Sequence, residues 1–407
     1  MTDEPPAPTA ETLPRGLRSS TTLLLILAAC VMAGSGIVAP VLPLYGAAAT
    51  GSATLVGMLI TIFGIARLAA NLPTGLLFPR LGSRRLLVAG SILLVVGGAG
   101  AALAGYDLGA MLVWRAVQGV GCGIFLTTIG VLVALRTEPG RRGRFLARYQ
   151  AAVFVGAGIG PTVGGYLAAG LGIAAPFWAY AAVAALALVA SIVYVHPRTA
   201  LTVEAETGPR VPLWRAVGNP QQSANLAVSF SQGFVRTAVL WQLIPLVAAG
   251  RFGMGFDLIG IAITATALAN LVALPLAGRL VDRVGWRMPP SAAAITQCAG
   301  LLLIAVGDSA AAFWIGVVLL GVAGAFIGPA LATSMVEITP AAALSSVTGL
   351  QRTVGDIGFV LGPVIVGLLA DVAGVDEVGS LLVTAALVLV TGVWWAVATR
   401  RHGAVLA

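Results

Sequence analysis

The sequence predicts an all-α membrane protein: twelve transmembrane helices arranged as two pseudo-symmetric six-helix bundles. Three observations predict it. The 407 residues are 58% hydrophobic and only 9% charged, with a mean hydropathy of +0.99. A soluble domain carries about 25% charged residues to cover its water-facing surface. Apolar runs of span length recur from one end to the other, separated by short polar gaps, as successive membrane helices require. Short segments also repeat at an offset of 202 or 203 residues, so the chain reads as two copies of one half.

Residues 1–20 are polar and proline-containing and form an N-terminal tail. The run at 21–45 is too long for the apolar part of a signal peptide and has no clear A-x-A cleavage site, so it is read as a retained first span. Spans two to six fall at 53–78, 86–105, 108–135, 145–170 and 175–196, which completes an N-terminal bundle over 21–196. A polar stretch at 197–222 is a linker. Six more spans follow at 224–249, 256–280, 289–307, 310–334, 343–370 and 379–399, giving a C-terminal bundle over 223–400 and a tail at 401–407. Each run must be helical, because lipid offers no partner for backbone polar groups outside a helix or a closed barrel. The many glycines and prolines fit this reading, since small residues let membrane helices pack closely.

The charge pattern sets orientation. All 23 basic residues are arginine. With the N-terminus inside, eighteen of them lie in inside segments and only Arg251 lies in an outside one, which is the positive-inside pattern. Both termini are therefore expected in the cytoplasm, and the chain is expected in the inner membrane of a bacterium. The same scatter excludes a nucleic-acid partner, because the arginines form no single basic stripe. Cys30, Cys122 and Cys298 each sit inside an apolar run, which argues against a disulfide framework. The two histidines, His196 and His402, lie at run ends. No metal cluster and no nucleophile–base pair is visible, so neither a metal, a cofactor nor an enzymatic activity is expected.

The repeat is specific in its residues. Gly75-Leu76-Leu77-Phe78-Pro79-Arg80-Leu81-Gly82-Ser83-Arg84-Arg85 follows span two, and Gly278-Arg279-Leu280-Val281-Asp282-Arg283-Val284-Gly285 follows span eight. Gly160-Pro161 returns as Gly362-Pro363, and Leu42-Pro43-Leu44 is echoed by Ile244-Pro245-Leu246. Six spans separate the copies, so both halves have the same orientation, as in a parallel repeat about the membrane normal.

These segments resemble the major facilitator superfamily along the whole chain. The loop after span two is similar to that family's G-x-L-x-D-R-x-G-R-R motif, with Pro79 where the family has an acid; Asp282 keeps the acid in the second copy. Arg115, in Trp114-Arg115-Ala116-Val117-Gln118-Gly119, is similar to the family's span-four arginine. Gly156, Gly160, Pro161, Gly164 and Gly165 resemble the span-five motif of drug:proton antiporters of the twelve-span branch. The resemblance implies a gate formed by the loop residues Gly75, Arg80, Gly82, Arg84, Arg85, Gly278, Asp282, Arg283 and Gly285, and a barrier sealed by the span-five glycines. Topology determinants and plain helix packing are the alternative readings of those two sets. Gly156, Gly160 and Gly164 recur every four residues and make one bare stripe on a helix.

Ionisable residues inside spans are costly and are functional candidates by default. Arg67, Arg115, Arg236, Arg352 and Asp356 qualify. Asp356 is the only carboxylate well inside a span and the first candidate proton carrier, with Arg115 and Arg352 as partners in coupling. Arg352 and Asp356 are spaced i, i+4 and are expected to neutralise each other; a static pair of Asp356 with Arg352 or Arg236 is the alternative. Gln150, Gln232, Gln242 and Asn270, with Arg67 and Arg236, are expected to line a wet cavity, because amides in lipid need partners. Four arginines against one aspartate favour an anionic group on the substrate. The resulting expectation is a monomeric secondary transporter in the lipid bilayer, exporting a small amphiphilic molecule of drug or secondary-metabolite type by proton antiport with alternating access. A symporter or exchanger of an anionic metabolite, and a receptor or scaffold without transport, stand as alternatives.

Overall fold

The computed structural model describes residues 15–135, 142–195, 219–339 and 341–400. The expected linker at 197–222 lies almost wholly outside the described residues, as do residues 1–14 of the N-terminal tail, the C-terminal tail at 401–407, and His196 and His402.

The described chain is helical. α1 (Arg15–Ile37) and the short α2 (Leu42–Ala49) together make the first span. α3 (Ala53–Leu103), α4 (Leu108–Leu135), α5 (Arg142–Leu171) and α6 (Ala175–Tyr194) complete the first half. The second half holds α7 (Pro220–Phe252), α8 (Phe256–Val284), α9 (Pro289–Val306), α10 (Ala310–Ile338), α11 (Ala341–Ala373) and α12 (Glu377–Arg400). Among the described residues, eleven helical segments are long and apolar enough to cross a membrane. One of them, α3, has 51 residues, which is about 77 Å of helix at 1.5 Å per residue against a core of about 30 Å. It breaks at Gly82, whose φ of 74° and ψ of 161° are not helical. The break divides α3 into spans two and three, which gives twelve spans.

The sequence reading placed a loop between spans two and three. The structure replaces that loop with a single-residue break, and the reason is local: a residue at positive φ without a Cβ lets one helix end and the next begin at once. Gly285 has the same conformation, φ 78° and ψ 169°, at the end of α8. The two copies of the loop motif therefore share a backbone turn as well as a sequence.

Buried side chains gather into separate clusters. The largest draws its buried members from residues 24–195, and the next from residues 234–388. Within the first half, Gly156, Gly160 and Gly164 seat α5 on α1: a Cβ at these positions would fall on the carbonyl groups of Ala29, Ala33 and Ile37. In the second half Gly358 and Gly362 seat α11 on α7 in the same way, against Phe230 and Phe234. α7 is continuous but changes to a π-helix at Val235–Leu243, a widened turn that is rare and concentrates at functional sites.

The arginine-poor ends of the helices carry side-chain caps. Ser52 caps α3, Ser309 caps α10, and Asp107 and Asp376 accept the N–H groups of Ala110 and Gly379, which satisfies orphan donors at helix starts. Arg251 serves the other kind of terminus. Its guanidinium donates to the carbonyls of Ile304 at 3.1 Å, Ala305 at 2.6 Å and Gly307 at 3.2 Å, where α9 ends.

Candidate functional site

The two halves meet chiefly along two helix pairs, α3 with α11 and α5 with α8. Glycine makes both contacts close. Gly57 on α3 sits against the Pro363 carbonyl, and Gly367 on α11 sits against Thr54. Gly260 on α8 sits against the Pro161 carbonyl, and Gly165 on α5 against that of Phe256. Thr61 donates to the Val360 carbonyl at 2.7 Å, and the Thr162 N–H reaches the Thr264 hydroxyl at 3.2 Å. At the arginine-poor end, Asp371 at the end of α11 accepts from the Ser52 hydroxyl and from two N–H groups opening α3.

Further toward the arginine-rich end, Ala39, Ile60, Trp241 and Phe359 from both halves form a buried apolar plug. Trp241 and Phe359 meet edge to face at 5.5 Å. Just beyond that plug lies the charged group. Arg67 on α3 pairs with Asp356 on α11 at 3.2 Å, and the two side chains keep 19% and 35% of their exposure. The Arg67 guanidinium also lies over the Phe359 ring at 4.8 Å. Arg236 on α7 is in electrostatic range of both Arg67 and Asp356 and lies over the ring of Phe154 on α5 at 5.1 Å. Tyr149 on α5 is in range of Arg67 and Arg352. The hydrogen bonds and ion pairs joining described residues of the two halves thus run from Asp371–Ser52 to Arg67–Asp356.

This corrects one expectation. Asp356 is neutralised by Arg67 from the other half, not by Arg352 one turn away. Arg352 is exposed and lines an open groove between α10 and α11 with Gln351. The arginine-before-aspartate order is the weaker one at i, i+4 on a helix, and the glycine contacts of α3 bring Arg67 within reach instead.

The remaining candidates separate. Arg115 is fully buried inside the first half, donating to the Leu59 carbonyl at 3.2 Å and to Gln118 at 2.7 Å. Its guanidinium faces the Phe63 ring at 4.5 Å. Gln232 donates to Gln297 at 3.0 Å and so joins α7 to α9 within the second half. Gln242 is buried, and its side-chain oxygen has no partner among the described residues. Asn270 and Gln150 are half-buried, Asn270 beside Gly324 of α10. In the loop copies, Gly75, Arg80, Arg85, Asp282 and Arg283 are exposed, and Arg84 donates to the Ile192 carbonyl at 2.7 Å within its own half. Asp282 makes no hydrogen bond or ion pair with another described residue. The span-five stripe packs on α1 inside one half, while Pro161 and Gly165 beside it touch α8 of the other. Sequence reasoning missed the Asp371 contact; Tyr149 and Phe154 were visible as aromatics able to line a cavity, but not their nearness to Arg67 and Arg236.

A chain of membrane helices in two like halves, closed at one end and charged where the halves meet, is the architecture of a membrane transporter. The chain belongs to the Major Facilitator Superfamily, whose profile matches residues 24–255 and 226–405. The members of that family are transporters and not enzymes. The chain is 23% identical over 364 residues to an uncharacterised MFS-type transporter of Methanocaldococcus jannaschii, covering 84% of this chain and 89% of the relative. It is 23% identical over 372 residues to multidrug resistance protein 2 of Bacillus subtilis, covering 88% and 91%. Among solved structures, it resembles a bacterial homologue of the human lysosomal transporter Spinster in an inward-facing, unoccupied conformation. The TM-score is 0.76 at 15% identity, with 95% of this chain and 98% of that one covered.

Proposed function

We infer that the chain is a proton-coupled secondary transporter that exports small amphiphilic molecules by alternating access. The observation that carries this reading is the Arg67–Asp356 pair at 3.2 Å, which ties the two halves together through a partly exposed carboxylate. Protonation of Asp356 removes its charge and with it the ion pair between α3 and α11. The halves, taken as bodies over 21–196 and 223–400, are then free to rock about the site near midplane. Proton binding and reorientation are thereby one event. With the arginine-rich ends in the cytoplasm of a bacterial cell, and both termini there, the closed end faces out and the charged group opens inward. Export is supported by the multidrug resistance relatives. The unit is a monomer, since each chain carries both halves of the site.

The test is accumulation of a mixed dye and metabolite panel in an efflux-deficient host, with and without a protonophore. Wild type lowers accumulation, and both the protonophore and Asp356→Asn abolish the effect while the variant stays folded. Wild-type proton dependence in Asp356→Asn removes Asp356 from the coupling mechanism.

A second reading, symport or exchange of an anionic metabolite, is favoured by one observation. Arg67 and Arg236 both lie in electrostatic range of one carboxylate, Asp356.

A further inference from the structure

Charge in the interior of a membrane protein is balanced or used. Around Asp356 it is not balanced. Arg67 takes up the one carboxylate. Arg236 makes no hydrogen bond or ion pair with any described residue, and its neighbour is the face of Phe154 on the opposite half. Arg236 is half-buried within the π-helical stretch of α7. The Arg352 side chain is exposed one turn from Asp356. Desolvating a guanidinium without an acceptor is costly. A guanidinium presents a planar fork suited to a carboxylate, sulfonate or phosphate, and it stacks on aromatic rings. Phe154 and Phe359 already lie under Arg236 and Arg67, so apolar faces flank the cationic centre on both halves.

We propose that Arg236 is the anchor for an anionic group on the transported amphiphile, which docks between Phe154 and the Arg67–Asp356 pair. The inference rests on the second transport reading above, symport or exchange of an anion, and names the residue that holds the charge. It has a direct electrostatic consequence. The bound anion and the Asp356 carboxylate share the same guanidinium field, so each disfavours the other. Substrate arrival therefore favours proton uptake by Asp356, and removing the Asp356 charge strengthens anion binding; anion and proton load together, which is the linkage of symport.

The test uses the full chain in nanodiscs of neutral phosphatidylcholine, with no proton gradient. The probe is 1-anilinonaphthalene-8-sulfonate, and the control is N-phenyl-1-naphthylamine, the same ring system without the sulfonate; empty discs supply the background. The wild type is expected to bind the sulfonate saturably and in preference to the neutral amine. Arg236→Gln weakens that binding about tenfold or more, as loss of a hydrogen bond to a charged group does. Arg236→Lys, which keeps the charge but not the fork, loses less affinity than Arg236→Gln, Asp356→Asn raises it, and binding of the neutral amine is unchanged in all three. Equal binding of the two probes by the wild type overturns the proposal. So does unchanged sulfonate binding in Arg236→Gln, equal loss in the glutamine and lysine variants, or weaker binding in Asp356→Asn. The proton-coupling reading fails separately: sulfonate preference with protonophore-insensitive flux sinks coupling and leaves the anion site standing. Proton-dependent flux without sulfonate preference does the reverse.

Discussion

Asp371 holds Ser52. The carboxylate at the end of α11 accepts the Ser52 hydroxyl at 2.6 Å and the N–H groups of Ala53 at 2.9 Å and Thr54 at 3.0 Å. An acid from one half thus caps the first turn of a helix in the other, where the helix dipole favours negative charge. It is the outermost hydrogen-bonded link between the halves.

Asp371→Asn is expected to loosen this end. The readout is alkylation of a cysteine at Ile60, which is buried in the apolar plug between the halves. The background replaces Cys30, Cys122 and Cys298 with alanine. A membrane-impermeant maleimide added from the outside should react faster in the Asp371→Asn protein. An unchanged rate would mean that Asp371 does not hold the outer end closed.

The Arg67–Asp356 pair can be tested as a pair. Asp356→Arg alone sets two guanidiniums against each other and should open the same plug to alkylation. Adding Arg67→Asp restores an opposite pair and should restore closure. Proton-driven flux should stay lost, because the carboxylate that takes up the proton now belongs to α3 and the other half. Full recovery of flux in the swapped protein would reduce the pair to a static tie.

Close packing of α5 on α1 sets a stability prediction. A methyl group at Gly164 meets the Ile37 carbonyl, whereas at Gly170 it meets nothing within 4 Å. Gly164→Ala should destabilise by about 1–3 kcal/mol through overpacking, seen as a lower melting temperature in detergent. Gly170→Ala should melt like the wild type. Equal melting of the two variants would contradict the seat.

Arg115 and Gln118 form a buried relay, from Gln118 to the Gly97 carbonyl at 3.1 Å and from Arg115 to Gln118 at 2.7 Å. Removing either partner strands polar atoms of the other. Arg115→Met and Gln118→Leu should each lower stability, and the double variant should lose less than the sum. A coupling of about 0.5–3 kcal/mol is expected for groups sharing one network. Strict additivity would show that the two side chains act independently.

The spans, the repeat and the glycine stripe were legible in the sequence because each is periodic and local. Gly156, Gly160 and Gly164 share a helix face whatever they pack against. The partner of Asp356 was not legible. Arg352 is four residues away and Arg67 is 289 away, and the choice between them is made by how closely α3 approaches α11. Asp371 does not stand out in the sequence, because nothing in its own neighbourhood points to Ser52. Gln232 is an amide in a span that needs a partner, as expected, but the partner is Gln297 of the same half, so burial chemistry alone did not place it in the cavity. Gly82 was visible as a glycine of the loop motif; that a single residue could replace a whole loop was not.

The π-helical stretch of α7 gives the second half a rotary element. A π turn holds more residues than an α turn, and its backbone bonds reach one residue further. Tightening that stretch to α geometry changes the register by one residue. At 3.6 residues per turn this swings every side chain on one side of it by about 100° relative to the other. Arg236 lies within the stretch and Gln242 near its end. A change of winding, with no hinge and no broken helix, would therefore turn one polar side chain away from the junction of the halves as it brought another round.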